Sequence, residues 1–259
     1  MKHLIFSLLF LTASFTPVFS QKRFMVCGDT KVLIVDYTAS KDSTPEIIWD
    51  WDAEKVPGLD AKKFKTVDDC KSISGKRFLV SASSGAIAMI GQDKKVLFTA
   101  DVPNAHSIEL LPGGFIAAAA STSAKGNAIM LFHPQKGNLP LYRDSLYSAH
   151  GLVWMQDEQL LYALGYHVLR AYKLISGNKP ALQKVREWKI AGEGGHDLQP
   201  APDGNLFVTD ERDVWKFDHK KGTFSHIPGV LTGVKNVKSL GLDAGGQYIY
   251  TLPEESWWT

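Results

Sequence analysis

Cys70-Lys71-Ser72-Ile73, Ala105-His106-Ser107-Ile108, Ala149-His150-Gly151-Leu152, Gly195-His196-Asp197-Leu198 and Val237-Lys238-Ser239-Leu240 are five versions of one tetrad. A small or apolar residue comes first, His or Lys second, a small or polar residue third, and Ile or Leu fourth. The basic residues stand at 71, 106, 150, 196 and 238, at intervals of 35, 44, 46 and 42 residues. A period of that length marks stacked or radially arranged β-sheet units.

Outward from each tetrad the chain runs strand, turn, strand, loop, strand, turn, strand. In the unit that starts at Ser148, alternation to Met155 is followed by the turn Gln156-Asp157-Glu158 and the apolar run Leu160 to Leu164. Val168 to Leu174 and Gln183 to Ile190 complete it, separated by the breaker Ser176-Gly177-Asn178-Lys179-Pro180. Short strands with turn residues at regular spacing read as all-β. The second strand can be counted separately, at Phe24–Cys27, Phe78–Ser81, Phe115–Ala118, Leu160–Ala163, Leu206–Thr209 and Tyr248–Thr251. The expected fold is a six-bladed β-propeller of four-stranded antiparallel blades. Stacked sandwiches would not hold one side-chain type at the same phase of every unit. The first unit starts at its second strand, and the sequence reaches Thr259 two strands into the sixth. The last blade is therefore expected to be truncated, with the ring open between the units of Val26 and Tyr248.

Residues 1–20 read as a secretory signal. Lys2 and His3 are followed by the apolar run Leu4 to Phe15, and Thr16-Pro17-Val18-Phe19-Ser20 ends on small residues suited to cleavage after Ser20. The run is short for a membrane span. The expectation is an exported protein, periplasmic or extracellular, with a propeller domain over residues 21–259. Without Lys2 the chain carries 28 basic and 27 acidic side chains. That balance excludes a global field for nucleic acid or an anionic membrane. No transmembrane segment is expected, and the protein is read as a monomer. Cys27 and Cys70 fall in neighbouring units and could pair in an oxidising compartment. Two buried reduced thiols fit the sequence equally well.

Val26-Cys27-Gly28-Asp29, Trp49-Asp50-Trp51, Ser148-Ala149-His150-Gly151-Leu152-Val153-Trp154 and Glu254-Glu255-Ser256-Trp257-Trp258-Thr259 carry a resemblance. They resemble a secreted bacterial family of six-bladed β-propellers whose biochemical function is uncharacterised. The resemblance covers nearly all of residues 21–259. It implies fold and export and brings no reaction with it.

The tetrads begin the innermost strand of each blade, at the channel face where ligands of such closed β architectures gather. Lys71, His106, His150, His196 and Lys238 are therefore expected to converge on one axis. Asp29, Asp210 and Glu211 are expected nearer the rim, on loops that also carry Lys31, His167 and Glu254-Glu255. Asp69, Asn104 and Asp197 flank the ring. Three chemistries fit. Neutral imidazoles of His106, His150 and His196 could hold a divalent metal. Imidazoles with two ammonium groups could bind a uronate, sulfate or phosphate. A His or Lys with a lowered pKa could move protons in a lyase or hydrolase acting on a saccharide. The leading expectation is a binding propeller for a small or glycan-like anionic ligand, with a metal- or His-assisted lyase or hydrolase as the alternative. His133, His219 and His226 read as surface residues. The five internal tryptophans read as packing between blades. Gly192-Glu193-Gly194-Gly195 precedes a strand, so it is no phosphate loop.

Overall fold

The computed structural model describes residues 22–227, 229, 231–243 and 245–253. The expected signal segment and Glu254 to Thr259 lie outside the described residues. Blade I holds β1 (Arg23–Gly28), β2 (Lys31–Lys41) and β3 (Thr44–Asp52). Blade II holds β4 (Val67–Ile73), β5 (Arg77–Ala82), β6 (Ala86–Gly91) and β7 (Val96–Asp101). Blade III holds β8 (Ala105–Leu110), β9 (Ile116–Ala120), β10 (Ala128–Phe132) and β11 (Tyr142–Ser145). Blade IV holds β12 (Gly151–Met155), β13 (Leu160–Leu164), β14 (Val168–Ile175) and β15 (Ala181–Lys189). Blade V holds β16 (Asp197–Pro200), β17 (Leu206–Thr209), β18 (Val214–Asp218) and β19 (Thr223–His226). Blade VI is the pair β20 (Ser239–Leu242) and β21 (Tyr248–Thr251). The strands within each sheet pair antiparallel in chain order.

This is an all-β propeller with four-stranded antiparallel blades, and each expected second strand overlaps an observed one. Among the described residues the first sheet has three strands and the last has two. They approach each other through Lys22, whose ammonium bonds Gln247 at 3.1 Å and pairs with Asp243 at 3.2 Å.

The core lies between blades. Ala118 and Ala120 of β9 pack toward Ile87, Met89 and Ile108, while Ala117 and Ala119 pack toward Leu152, Leu161 and Ala163. Successive side chains of a strand point to opposite faces, so a strand buried on both sides reads as continuously apolar. Tryptophans fill these seams: Trp49 packs on Phe78, Trp51 on Phe64, and Trp188 on Phe217.

The inner strands are joined by a belt of side-chain bonds. Asp69 accepts from Ser107 Oγ at 2.7 Å and from the Ile108 N–H at 3.3 Å. Ser107 Oγ accepts the Leu152 N–H at 3.2 Å, and Asp197 accepts the Leu240 N–H at 2.9 Å. Each of the three backbone bonds runs from the third tetrad residue of one blade to the N–H after the third residue of the next. This phase corrects one sequence reading. In blade II the tetrad is Val67-Asp68-Asp69-Cys70, three residues before Cys70-Lys71-Ser72-Ile73. Its second residue is acidic, and the first interval becomes 38 residues (68 to 106). Cys70, Ile108, Leu152, Leu198 and Leu240 then share the core-facing fourth position.

Blade IV has Gly151 at the belt position because there is no room for more. A Cβ there would stand 2.5 Å from Leu198 Cβ and 2.8 Å from its backbone nitrogen. Gly151→Ala is therefore expected to destabilise the fold by ~1–3 kcal/mol, read from urea unfolding. Ser107→Ala, which removes one belt link, is expected to lose about 1 kcal/mol. An unchanged midpoint for Gly151→Ala would show that blades IV and V are not in this contact.

Candidate functional site

The second tetrad residues gather at one end of the channel. His106 and His150 meet edge to face with ring centroids 4.4 Å apart, and His150 and His196 do the same at 5.9 Å. Lys238 Nζ lies 2.8 Å from His196 Nε2. Asp68 completes the arc, its carboxylate 4.0 Å from His106 Nε2. The ring is thus Asp68, His106, His150, His196 and Lys238.

Local backbone explains the convergence. Two residues before the ring position, Asn104, Ser148, Gly194 and Asn236 all adopt positive φ (51°, 48°, 68° and 59°). This left-handed backbone costs nothing for Gly and less for Asn than for most residues. It swings the chain onto the inner strand, where the N–H groups of His150, His196 and Lys238 bond Leu164, Thr209 and Thr251 carbonyls. In blades II and III a bulge at Asp68 and at His106 does the equivalent work.

The same turns set the tautomers. His106 Nδ1 lies 3.1 Å from the Asn104 carbonyl and His150 Nδ1 2.9 Å from the Ser148 carbonyl. A carbonyl only accepts, so each Nδ1 carries a hydrogen, and in the neutral ring Nε2 is the atom with the lone pair. Burial, then the charges of His106, His196 and Lys238, pull the His150 imidazole down to about 3. Burial, then Lys238, pulls His196 down to about 4. Burial likewise lowers Lys238, against the pull of Glu211. Partial burial raises the Asp68 carboxyl, opposed by His106 and by its bond from the Ser83 N–H at 2.6 Å.

Several expected positions differ. Lys71 lies one layer deeper, where its ammonium meets Glu109 at 3.2 Å, Asp69 at 3.5 Å and Ser107 Oγ at 3.4 Å, and bonds the Leu152 carbonyl. Burial lowers its pKa, but Asp69 and Glu109 outweigh that and hold it charged. It is a strut of the channel wall. Below the ring, burial pushes the Asp197 carboxyl up to about 6, against its Leu240 bond. Asp210 is fully buried and accepts from the Arg212 and Asp213 N–H groups and from Trp215 Nε1 at 2.7 Å. It ties its own loop together and is spoken for. Glu211 is exposed beside Tyr166, whose hydroxyl lies 3.4 Å away. Asp29 is exposed in the β1–β2 turn at φ 47°, its carbonyl accepting the Val67 N–H. His219 is buried rather than on the surface; neither ring nitrogen makes a hydrogen bond among the described residues, and Nε2 lies 4.0 Å from the Glu158 carboxylate. Cys27 and Cys70 are free thiols in the seam between blades I and II, and their mutual hydrogen bond, then burial, raises the Cys27 thiol.

Among the described residues no three His, Cys, Asp or Glu side chains are arranged to hold a metal. Within the expected His106, His150 and His196 triad, His196 Nε2 accepts from the Lys238 ammonium. Asp68 and Glu109 are site residues the sequence reading missed. Asp68 was findable by requiring an interval closer to the other three. Glu109 shows no sequence signal.

The sequence profile of a family of unknown function, DUF6528, matches residues 19–259. The chain belongs to this DUF6528 family. The match agrees with the resemblance to an uncharacterised propeller. No curated protein matches this family member. Among solved structures it is similar to the WD40 β-propeller domain of Doa1, at TM-score 0.60 and 11% identity, covering 88% of this chain and 71% of that one. It is also similar to a chain of the Mitotic Checkpoint Complex, at TM-score 0.59 and 12% identity, covering 86% and 66%. At these identities the likeness shows the fold alone. No helix among the described residues is long and apolar enough to cross a membrane.

The depressed histidines set a pH dependence. Their folded pKa values lie below the ordinary 6.5, so the unfolded chain takes up more protons from 6.5 down to about 4 for His196 and about 3 for His150. Their contribution to stability is complete above 6.5 and is lost as pH falls through these values. Asp197, raised from 3.8 to about 6, works in the opposite sense: its contribution is complete below 3.8 and is lost as pH rises through 6. His150→Gln with His196→Gln is therefore expected to lose less stability than wild type between pH 7 and 4.5 in urea titrations. Parallel curves would mean that the imidazoles are not held neutral.

Proposed function

We propose that this protein is an exported propeller that binds a small acidic saccharide, of the uronate class, at the channel mouth. The observation that carries the reading is the pairing of two fixed lone pairs with one ammonium. The Nε2 atoms of His106 and His150 are acceptors, suited to sugar hydroxyls, and Lys238 supplies the positive charge for a carboxylate. A partly buried ammonium attracts an anion more strongly than one in bulk water. The signal-like residues 1–20 support export to a periplasmic or extracellular location.

The alternative, a lyase or hydrolase using one of these groups as base, is the weaker reading. A general base works best with a pKa near the operating pH. Imidazoles held near 3 and 4 are poor proton acceptors at neutral pH.

Calorimetric titration with galacturonate tests the proposal. Wild type is expected to bind it and to bind methyl galactoside, which lacks the carboxylate, more weakly. Lys238→Ala is expected to weaken galacturonate by about tenfold or more while leaving the neutral sugar nearly unchanged. Combined Ala substitution of His106, His150 and His196 is expected to abolish binding without unfolding the protein. Wild-type affinity in that triple variant, or no binding of either sugar by wild type, overturns the proposal.

A further inference from the structure

Beside the ring, between His150 and His196, three aromatic rings form a row on the same face. Tyr147 is 58% exposed and its ring centroid lies 5.7 Å from that of Tyr166. Tyr166 meets His167 edge to face at 4.5 Å. Tyr147 stands three residues before His150, and the backbone ties the row to both neighbouring ring positions. The Tyr166 N–H bonds the Tyr147 carbonyl at 3.0 Å. The Tyr166 carbonyl in turn accepts from the N–H groups of Gly194 and Gly195, at 2.9 and 3.3 Å, directly before His196.

Glycine makes this seating sterically available. A Cβ on Gly195 would stand 2.6 Å from the Gly165 carbonyl oxygen, and one on Gly165 would stand 2.9 Å from the Tyr147 carbonyl oxygen. A Cβ on Gly194 would strike the Glu211 side chain at 2.5 Å. The glycine run Gly192-Glu193-Gly194-Gly195 thus has a physical role: it lets the two loops close until the tyrosines border the ring. Glu211, laid across Gly194, comes within 3.4 Å of the Tyr166 hydroxyl, and its charge raises that phenol. The patch therefore offers the exposed face of Tyr147 beside the half-buried Tyr166, with a carboxylate acceptor at its edge.

We infer that the Tyr147–Tyr166 row with Glu211 is a second saccharide subsite, holding the sugar unit next to the acidic one. This rests on the acidic-saccharide reading of the ring. The apolar C–H face of a pyranose lies on an aromatic ring, and its hydroxyls donate to the carboxylate. The ligand is then an oligosaccharide containing an acidic sugar, and affinity grows with a second unit.

Titrations with galacturonate and with a disaccharide that joins galacturonate to a neutral galactose unit separate the two readings. Wild type is expected to bind the disaccharide more tightly than the monosaccharide. Tyr147→Ala is expected to weaken the disaccharide about tenfold and to leave the monosaccharide unchanged. Tyr147→Phe, which keeps the face, is expected to retain the gain. Equal affinities of wild type for the two sugars, with the monosaccharide still bound, overturn the subsite and leave the ring proposal standing. Failure to bind either sugar overturns both. An aromatic patch beside a carboxylate also suits a quaternary ammonium. Binding of tetramethylammonium that Tyr147→Ala abolishes, without a disaccharide gain, assigns the patch to cations and overturns the subsite.

Discussion

A side chain at the third tetrad position accepts the backbone N–H that follows the same position in the next blade, and the channel depends on that bond. The acceptor is Asp69 in blade II, Ser107 in blade III and Asp197 in blade V. A backbone donor turned toward a channel must find a partner, because an unpaired one is expensive to bury. Repeating the solution around the ring holds neighbouring inner strands at one height. Once that height is common, the residues just before the belt reach one level as well. His106, His150, His196 and Lys238 are therefore neighbours although some forty residues separate each from the next. Blade IV solves the problem by removal. Gly151 has no side chain, so Leu198 packs directly against its backbone and turns its N–H to the Asp197 carboxylate.

Crowding basic groups at the mouth then determines their chemistry. Three imidazoles and an ammonium within contact distance cannot all be charged in a half-buried site. Burial and the neighbouring cations favour the neutral forms of His150 and His196, and carbonyls at the left-handed turns take the Nδ1 hydrogens of His106 and His150. One layer down, Lys71 is enclosed by Asp69 and Glu109, so its charge is neutralised within the wall. The two lysines that look alike in sequence consequently do different things. Lys71 holds the channel together, while Lys238 gives the mouth its charge.

The glycines show how site and scaffold are coupled. Gly165 and Gly195 permit the loop of Tyr166 to sit against the approaches to His150 and His196. Larger residues would push the aromatic row outward and carry the ring backbone with it. Close approach of main chains is the shared requirement of the propeller's seams and of its mouth.

The β-period, the six second strands and the basic residues of blades III to VI are legible in the sequence because they obey local rules. Alternation follows from the strand, turns need glycine or proline, and duplicated units repeat their phase. Lys71 misleads because a tetrad defined by residue type admits Cys70-Lys71-Ser72-Ile73 as readily as the true Val67-Asp68-Asp69-Cys70. Only the cross-blade bond from Ile108 to Asp69 distinguishes them. Asp210 misleads for a related reason. A run of charged loop residues reads as solvated, whereas its carboxylate is consumed by two backbone donors and Trp215. The sequence by itself determined the kind of sheet, the repeat and the side-chain types available at the mouth. The tertiary structure decided which charges are neutralised, which tautomers stand and which loops touch. Those depend on distances between blades, and no local pattern along one chain encodes a distance across the channel.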